Sequence, residues 1–543
     1  MESNFSAQLS GRFAWRFCYW TTLFAVFTWA TWLRFRQPLD PIADPDTWGY
    51  LSPALRKLTG AEFGHTYGRN FVYPGFVFLS LRAFGDFRAI TLLQHLLGLA
   101  AGGFLLLTWR RARVFLAKPR LGNRIYDAFG LIAAAIFLFA GETIRLEMQL
   151  RPESVCAFLL SLNVWVAIQF AVASYIDNRR TAATAYGAAL VFGSVLLASV
   201  KPSFALVAIV TVFAVATVFF RRDWLREKLA LATAALVGAA LLLVPEHFLR
   251  RSDDQSRTFL PTTLFVIHAN LIRDQMADDL RVDAKLPYSH DWLERVYTVL
   301  TTELAKSATA EPRYHVSAGF SPDYLMYNPT SIAAQLRSEF HGNAGALCAF
   351  YRFYYWRIWL HRPIRVVQKV ARQISIFYGP MCPAYSRSKA FPLTSDYERG
   401  VNALDVPPYR KVWIRYPPAV DFISRTGLLA RGAPAVEQPV WIRKPLGFLA
   451  AAYLPLLVVS IAIIGFVFLR HRQRRRFGWL AGFVLFLFAC NFFACLEVAV
   501  IHLLEYSRYI AVQMYFTLLA QFFALWFVAE IVLEMRTLLS IKR

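Results

Sequence analysis

Long apolar runs separated by short, arginine-rich polar stretches dominate this chain. A run of roughly 17–25 mainly apolar residues is the signal of a membrane-spanning helix. Ten such runs are read, at about 14–33, 87–108, 127–141, 154–175, 182–200, 203–220, 229–246, 446–469, 478–500 and 509–533. The third is short, and only Val200-Lys201-Pro202 separates the fifth from the sixth, so a tight turn is expected there. The run at 71–84, FVYPGFVFLSLRAF, is too short to cross and reads as a helix lying in the interface. Two polar segments, 34–86 and 247–444, are too long to be connectors. The chain therefore divides into a seven-span module at 1–246, a soluble outer segment with interfacial helices at 247–444, and three further spans at 445–543. The expected fold class is an α-helical polytopic membrane protein of about ten transmembrane helices with a mixed outer-face soluble domain.

Composition strengthens that picture. Hydrophobic residues make up 57% of the chain, above the roughly 45–50% of globular proteins, which excludes a soluble enzyme. The net charge of +24 comes from 59 Lys+Arg against 35 Asp+Glu. Those cations are not gathered in one basic domain, so no nucleic-acid partner is expected. Short cytoplasmic loops are enriched in Lys and Arg. With the N-terminus inside, the inner segments hold 22 of these residues and the short outer loops four, so both termini are expected in the cytoplasm. The first apolar run reads as a signal anchor without a cleavage site. Four cysteines lie within spans, whereas Cys348 and Cys382 share the outer segment, where an oxidising compartment could join them. No Walker loop, HExxH, CxxC pair or GxSxG elbow is present.

The sharpest chemistry lies in the first outer loop, DPDTWGYLSPALRKL at 44–58. Tyr50, Ala54, Leu55 and Leu58 fall at helical spacing, and the loop continues through His65, Tyr67 and Arg69 to Tyr73-Pro74. On one reading Asp44 and Asp46 merely cap the helix that starts at Thr47. On the other, a carboxylate beside the membrane takes the proton of an acceptor hydroxyl as it attacks a sugar carbon. Burial would raise such a carboxylate toward the working pH. A second acid, or a divalent metal such as Mg2+ or Mn2+, would then help to neutralise a departing phosphate.

An acidic residue in the first outer loop, Tyr50 four residues after Asp46 and Tyr73-Pro74 before the second span resemble the GT-C superfamily of membrane glycosyltransferases. The seven-span layout with its later outer domain is similar too. The nearest branch is that of the bacterial aminoarabinose transferases and protein O-mannosyltransferases, which commonly has Asp-Glu where this chain has Asp46-Thr47. The resemblance implies an inverting transferase in a bacterial inner membrane with its active site on the periplasmic side. Its donor would be a polyprenyl-phosphate sugar and its acceptor a lipid, a glycan or a protein. Asp46 or Asp44 would be the base, and Lys201, Arg69, Arg508 and Tyr509 would face the donor phosphate.

Other groups keep two readings each. Glu142 and Glu147, in the second outer loop, are candidates for the second acid or a metal ligand, whereas Glu153 reads as an acid at a helix start. Arg508 suits bidentate phosphate binding, or pairs with Glu505 while Tyr509 joins the aromatic belt. Arg357, His361, Arg365 and Lys369 form one helical stripe expected to meet lipid phosphates, and Pro363 should break that helix in two. Two rival functions remain: an O-antigen polymerase or ligase, which relies on Arg and His, and a transporter or flippase, which places charges in mid-span.

Overall fold

The structure, a computed structural model, describes residues 2–64, 68–116, 119–310 and 317–541, so His65 and Tyr67 lie outside the described residues. The chain is a polytopic helical membrane protein. Among the described residues, eight helices are long and apolar enough to cross a membrane: Arg88–Phe115, Glu153–Ile176, Arg180–Val200, Pro202–Phe220, Leu225–Arg251, Val440–Leu469, His471–Ile501 and Ser507–Thr537. Two of the ten expected spans differ. The first is one helix from Glu2 to Phe35, but Trp20, Trp29 and Trp32 with four threonines dilute its apolar run, and it is not among the eight. The third breaks into Asn123–Phe139 and Gly141–Met148, bent by 49°. The break is at Ala140, whose extended backbone (ψ 122°) interrupts the helical ladder. Counted as one span, the bent pair makes nine.

The polar loop after the first helix folds as its periodicity predicts. Helices Thr47–Leu58 and Val72–Phe84 share an apolar cluster built on Leu51, Leu55, Tyr73, Val77 and Leu81. The second ends at Gly85, whose φ of 63° is left-handed and lets its N–H close on the Leu81 carbonyl at 2.8 Å. The same cluster reaches the segment after 247: Trp48 stacks on Tyr409 at 4.2 Å and Phe87 on Phe422 at 4.4 Å.

Between the seventh and eighth of the expected spans, the regular structure of the described residues is helical apart from one antiparallel pair, Ala390–Pro392 with Ala435–Glu437. Among the described residues, strand content in the mixed outer domain is limited to that pair. A separate apolar core forms around Phe265, Ile272, Leu300, Leu336, Phe350 and Tyr354. Cys348 and Cys382 are both free thiols. Cys348 points to the Arg257 carbonyl at 3.6 Å, while Cys382 sits in the core of the membrane helices, so the two belong to different parts of the protein.

Pro363 does break the cationic helix, giving Ala344–His361 and Pro363–Phe377. Two members of the basic stripe, however, are taken up by other parts of the protein. Arg357 is clamped by both oxygens of Asp279 at 2.7 Å, and Lys369 donates to the Ala499 carbonyl at 2.9 Å. His361 and Arg365 stay exposed, the latter 3.6 Å from Asp274. Asp279 of the acidic helix Ala269–Arg281 holds Arg357, while Asp278 pairs with Arg362 and Asp274 approaches the exposed Arg365. Trp356, Leu360, Ile364 and Val367 are the large apolar side chains left exposed on this pair.

Candidate active site

Two backbone segments far apart in sequence are tied together beneath the candidate site. The Ile42 N–H donates to the Met148 carbonyl at 2.7 Å, and the Leu150 N–H donates back to the Ile42 carbonyl at 2.9 Å. This parallel bridge aligns Asp44 and Asp46 with Arg151, the residue just past it.

Asp44 and Asp46 take different roles. Asp44 Oδ1 accepts from the Thr47 hydroxyl and from the Asp46 N–H, both at 3.0 Å, while Thr47 Oγ1 accepts from the Asp44 N–H at 2.8 Å. Asp44 therefore closes a local turn just before the helix without capping its N–H groups, and its other oxygen meets Arg151. Asp46 stands at the N-cap position but its side chain makes no cap hydrogen bond. One of its oxygens instead accepts from Arg69 and the other from Arg508, with Arg151 at 3.5 Å. Burial works to raise the Asp46 carboxyl, but the charges of Arg508 and Arg69 outweigh it and hold the group well below the usual carboxylate range. This corrects the expectation of a carboxylate raised toward the working pH: the missing factor was guanidinium partners.

The other cations arrive from separate elements. Lys201 sits in the tight turn, extended before Pro202, with its ammonium 2.5 Å from Glu153 and 4.8 Å from the Tyr509 ring. Glu153 is thus more than a helix-start acid. Arg508 lies over the Tyr509 ring at 4.9 Å. Glu505 accepts from the Ser317 N–H at 2.7 Å, so the local Glu505–Arg508 pair is replaced by Arg508–Asp46. His502 packs 5.0 Å from the Tyr506 and Tyr509 rings, and burial, reinforced by Arg508, pushes its imidazole down to about 3. His502 therefore stays neutral.

Arg69 is placed by a latch that sequence reasoning missed. Gly68 has a φ of 80° and donates to Ser256 Oγ at 2.9 Å; a Cβ there would lie 2.5 Å from the Phe259 ring. On the far side, Glu246 accepts from the Phe71 N–H at 2.9 Å and from Arg250, which reaches Asn70 at 2.6 Å. A glycine before a cation in a loop was the available signal; the Glu246 and Arg250 partners lie more than 170 residues away.

The cavity here measures about 650 Å³ and is lined by seven cationic and six acidic side chains. Asp44, Asp46, Glu142, Lys201, Arg69, Arg508 and Tyr509 are brought together there. Glu142 lies 3.6 Å from Arg145, which is held bidentately by Asp396 at 2.7 and 2.9 Å. Glu147 is not in this cavity. It points into the helix bundle, where Arg34 clamps it at 2.7 and 2.8 Å and His95 meets it at 2.8 Å. A Cβ at Gly98 would fall 1.9 Å from its oxygen, so only glycine leaves it room. Glu147 is therefore corrected from second acid to buried ion-pair partner. Among the described residues no three Asp, Glu, His or Cys side chains converge as a metal site, and the nearest carboxylates are already engaged by guanidinium groups.

No family model and no curated protein matches the chain. Among solved structures it is similar to the crystal structure of ArnT from Cupriavidus metallidurans bound to undecaprenyl phosphate. The identity is 11% and the TM-score 0.31, over 93% of this chain and 77% of that one.

Proposed function

We propose that the protein is a GT-C-type glycosyltransferase that moves a sugar from a polyprenyl-phosphate donor to a lipid, glycan or protein hydroxyl at the outer face of a bacterial inner membrane. The observation that carries this reading is Asp46 held among Arg69, Arg151 and Arg508 in one polar cavity at the head of the membrane helices. A carboxylate and phosphate-matching guanidinium groups in a shared site suit attack at a phosphate-activated carbon. The crystal structure of ArnT, similar in extent, is of a complex with undecaprenyl phosphate.

In this mechanism the acceptor hydroxyl oxygen forms the new bond to the anomeric carbon as the bond from that carbon to the phosphate oxygen breaks. Asp46 receives the hydroxyl proton, and the electron pair of the broken bond leaves with the polyprenyl phosphate. Arg508, Arg69 and Lys201 meet the charge that develops on the leaving phosphate. Arriving phosphate competes with Asp46 for the same guanidinium groups, so donor binding itself frees the carboxylate to act as a base. The exposed Trp356, Leu360, Ile364 and Val367 would seat the outer helices in the lipid interface beside the site.

The test is transfer from a polyprenyl-phosphate sugar by the purified full-length protein in nanodiscs. The D44N/D46N double variant should lose transfer while still binding the donor. Undiminished transfer by that variant would sink the mechanism.

A further inference from the structure

Among the cations of the cavity, one stands apart. Six of the seven are ion-paired. Arg399 lines the same cavity and, among the described residues, has neither an ion pair nor a side-chain hydrogen bond. Its exposure alone would make it an ordinary solvated arginine, but its backbone is placed from two sides. Gly400, the next residue of helix Leu393–Leu404, lies so close to the first loop that a Cβ would meet the Ala43 carbonyl oxygen at 2.7 Å. One turn earlier, Asp396 anchors the helix through Arg145 at 2.7 and 2.9 Å. Arg399 is thus fixed beside the loop that carries Asp44 and Asp46.

Its neighbour Arg151 reports the charge there. Burial lowers the Arg151 guanidinium from its ordinary value, with Arg508 and then Arg399 adding to the effect as like charges. Seven cationic against six acidic side chains leave the cavity with an excess of one positive charge, and Arg399 is the cation without an ion pair among the described residues. A guanidinium placed in the cavity without a carboxylate partner suits the oxygens of a phosphate ester.

We propose that Arg399, beside Arg151, receives a phosphate ester from a substrate. The inference rests on the lipid-phosphate reading above. The phosphate has two possible sources, the donor lipid or a phosphate carried by the acceptor, and one experiment separates them.

Full-length protein in nanodiscs is titrated first with undecaprenyl phosphate, then with inorganic phosphate once the lipid is saturating, for wild type, R399A, R399K and R508A. Loss of one charge-assisted contact should weaken binding by about 10-fold or more. Weaker undecaprenyl phosphate binding by R399A, partly restored in R399K, assigns Arg399 to the donor phosphate. Unchanged lipid binding with lost inorganic phosphate binding assigns it to the acceptor. R399A that matches wild type in both titrations, while R508A loses the lipid, overturns this inference and leaves the proposed function standing. A wild type that binds neither anion overturns both. Because Arg399 is exposed, R399A should keep the elution profile and melting temperature of wild type, and R399Q replaces it if it does not.

Discussion

Two carboxylates, Asp46 and Glu147, are each held by arginine, yet their surroundings give them opposite meanings. Glu147 is 2% exposed, and its single Arg34 is 0% exposed and satisfied by the Ala30 and Leu138 carbonyls as well. That pair has little room to exchange partners, because the space beside it is a cavity of about 20 Å³, too small for a substrate. Asp46 faces a cavity of about 650 Å³ and is shared among three guanidinium groups, one of them at 3.5 Å. A saturated pair in a closed core fixes geometry; an over-supplied carboxylate in an open cavity can trade its partners for a substrate. Acid–arginine pairing alone therefore does not identify a site. The number of competing cations and the free volume do.

The comparison breaks most visibly in turnover. D46N should lower transfer by about 10²–10⁴-fold, the usual worth of a positioned general base, with the protein still folded by size-exclusion chromatography. E147A should do the reverse. Removing one partner of a buried ion pair costs about 3–5 kcal/mol, so E147A should melt earlier in detergent, with transfer per folded molecule retained. A folded, inactive E147A would erase the distinction. R508A should raise the donor KM by about 10–100-fold, the value of a charge-assisted hydrogen bond of roughly 1.5–3 kcal/mol, and R508K should recover only part of it because Lys cannot bind bidentately.

A finer test uses pH. The Asp46 carboxyl is lowered in the folded protein, so its ion pairs add stability that is complete above the unfolded pKa and is lost only as pH falls through the lower folded value. The acid limb of kcat/KM, which reports the free enzyme, should lie below the range of an ordinary Asp. The acid limb of kcat, which reports the donor complex, should move up once phosphate has taken the guanidinium groups. Coincident limbs would show that Asp46 keeps its arginines throughout turnover. The smallest effect is reserved for the latch: E246Q weakens the hold on the Phe71 N–H and should cost about 1 kcal/mol in transition-state stabilisation, seen as a several-fold drop in kcat/KM.

Most of the helical layout was legible from local pattern. The spans follow apolar runs, the loop helices Thr47–Leu58 and Val72–Phe84 follow helical periodicity, and the Lys201-Pro202 turn and Pro363 break follow from proline. The bend at Ala140 had no such marker. In the candidate site the residue types were legible but their partners were not. Arg508 meets Asp46 across 462 positions, and Glu246 meets Phe71 across 175. Glu147 could have been separated from Glu142 by phase: five residues at about 100° each place them roughly 140° apart around one helix, so one helix face could not present both to the same cavity. Glu153 was under-read because the helix-start explanation was sufficient locally and its Lys201 partner comes from another helix pair. Arg399 carried no local signal; its meaning depends on which cations are already neutralised.

The bridge between Ile42 and Gln149 is made by peptide groups, which every residue except proline supplies. The spacing of the acidic loop against Arg151 is thus written into the main chain and is indifferent to most substitutions along it. Sequences in which the loop has drifted in side-chain identity can keep the same apposition, so long as positions 42 and 150 retain their N–H donors. Selection is then free to exchange the cations around the cavity and adapt them to new substrates without rebuilding the frame that presents them.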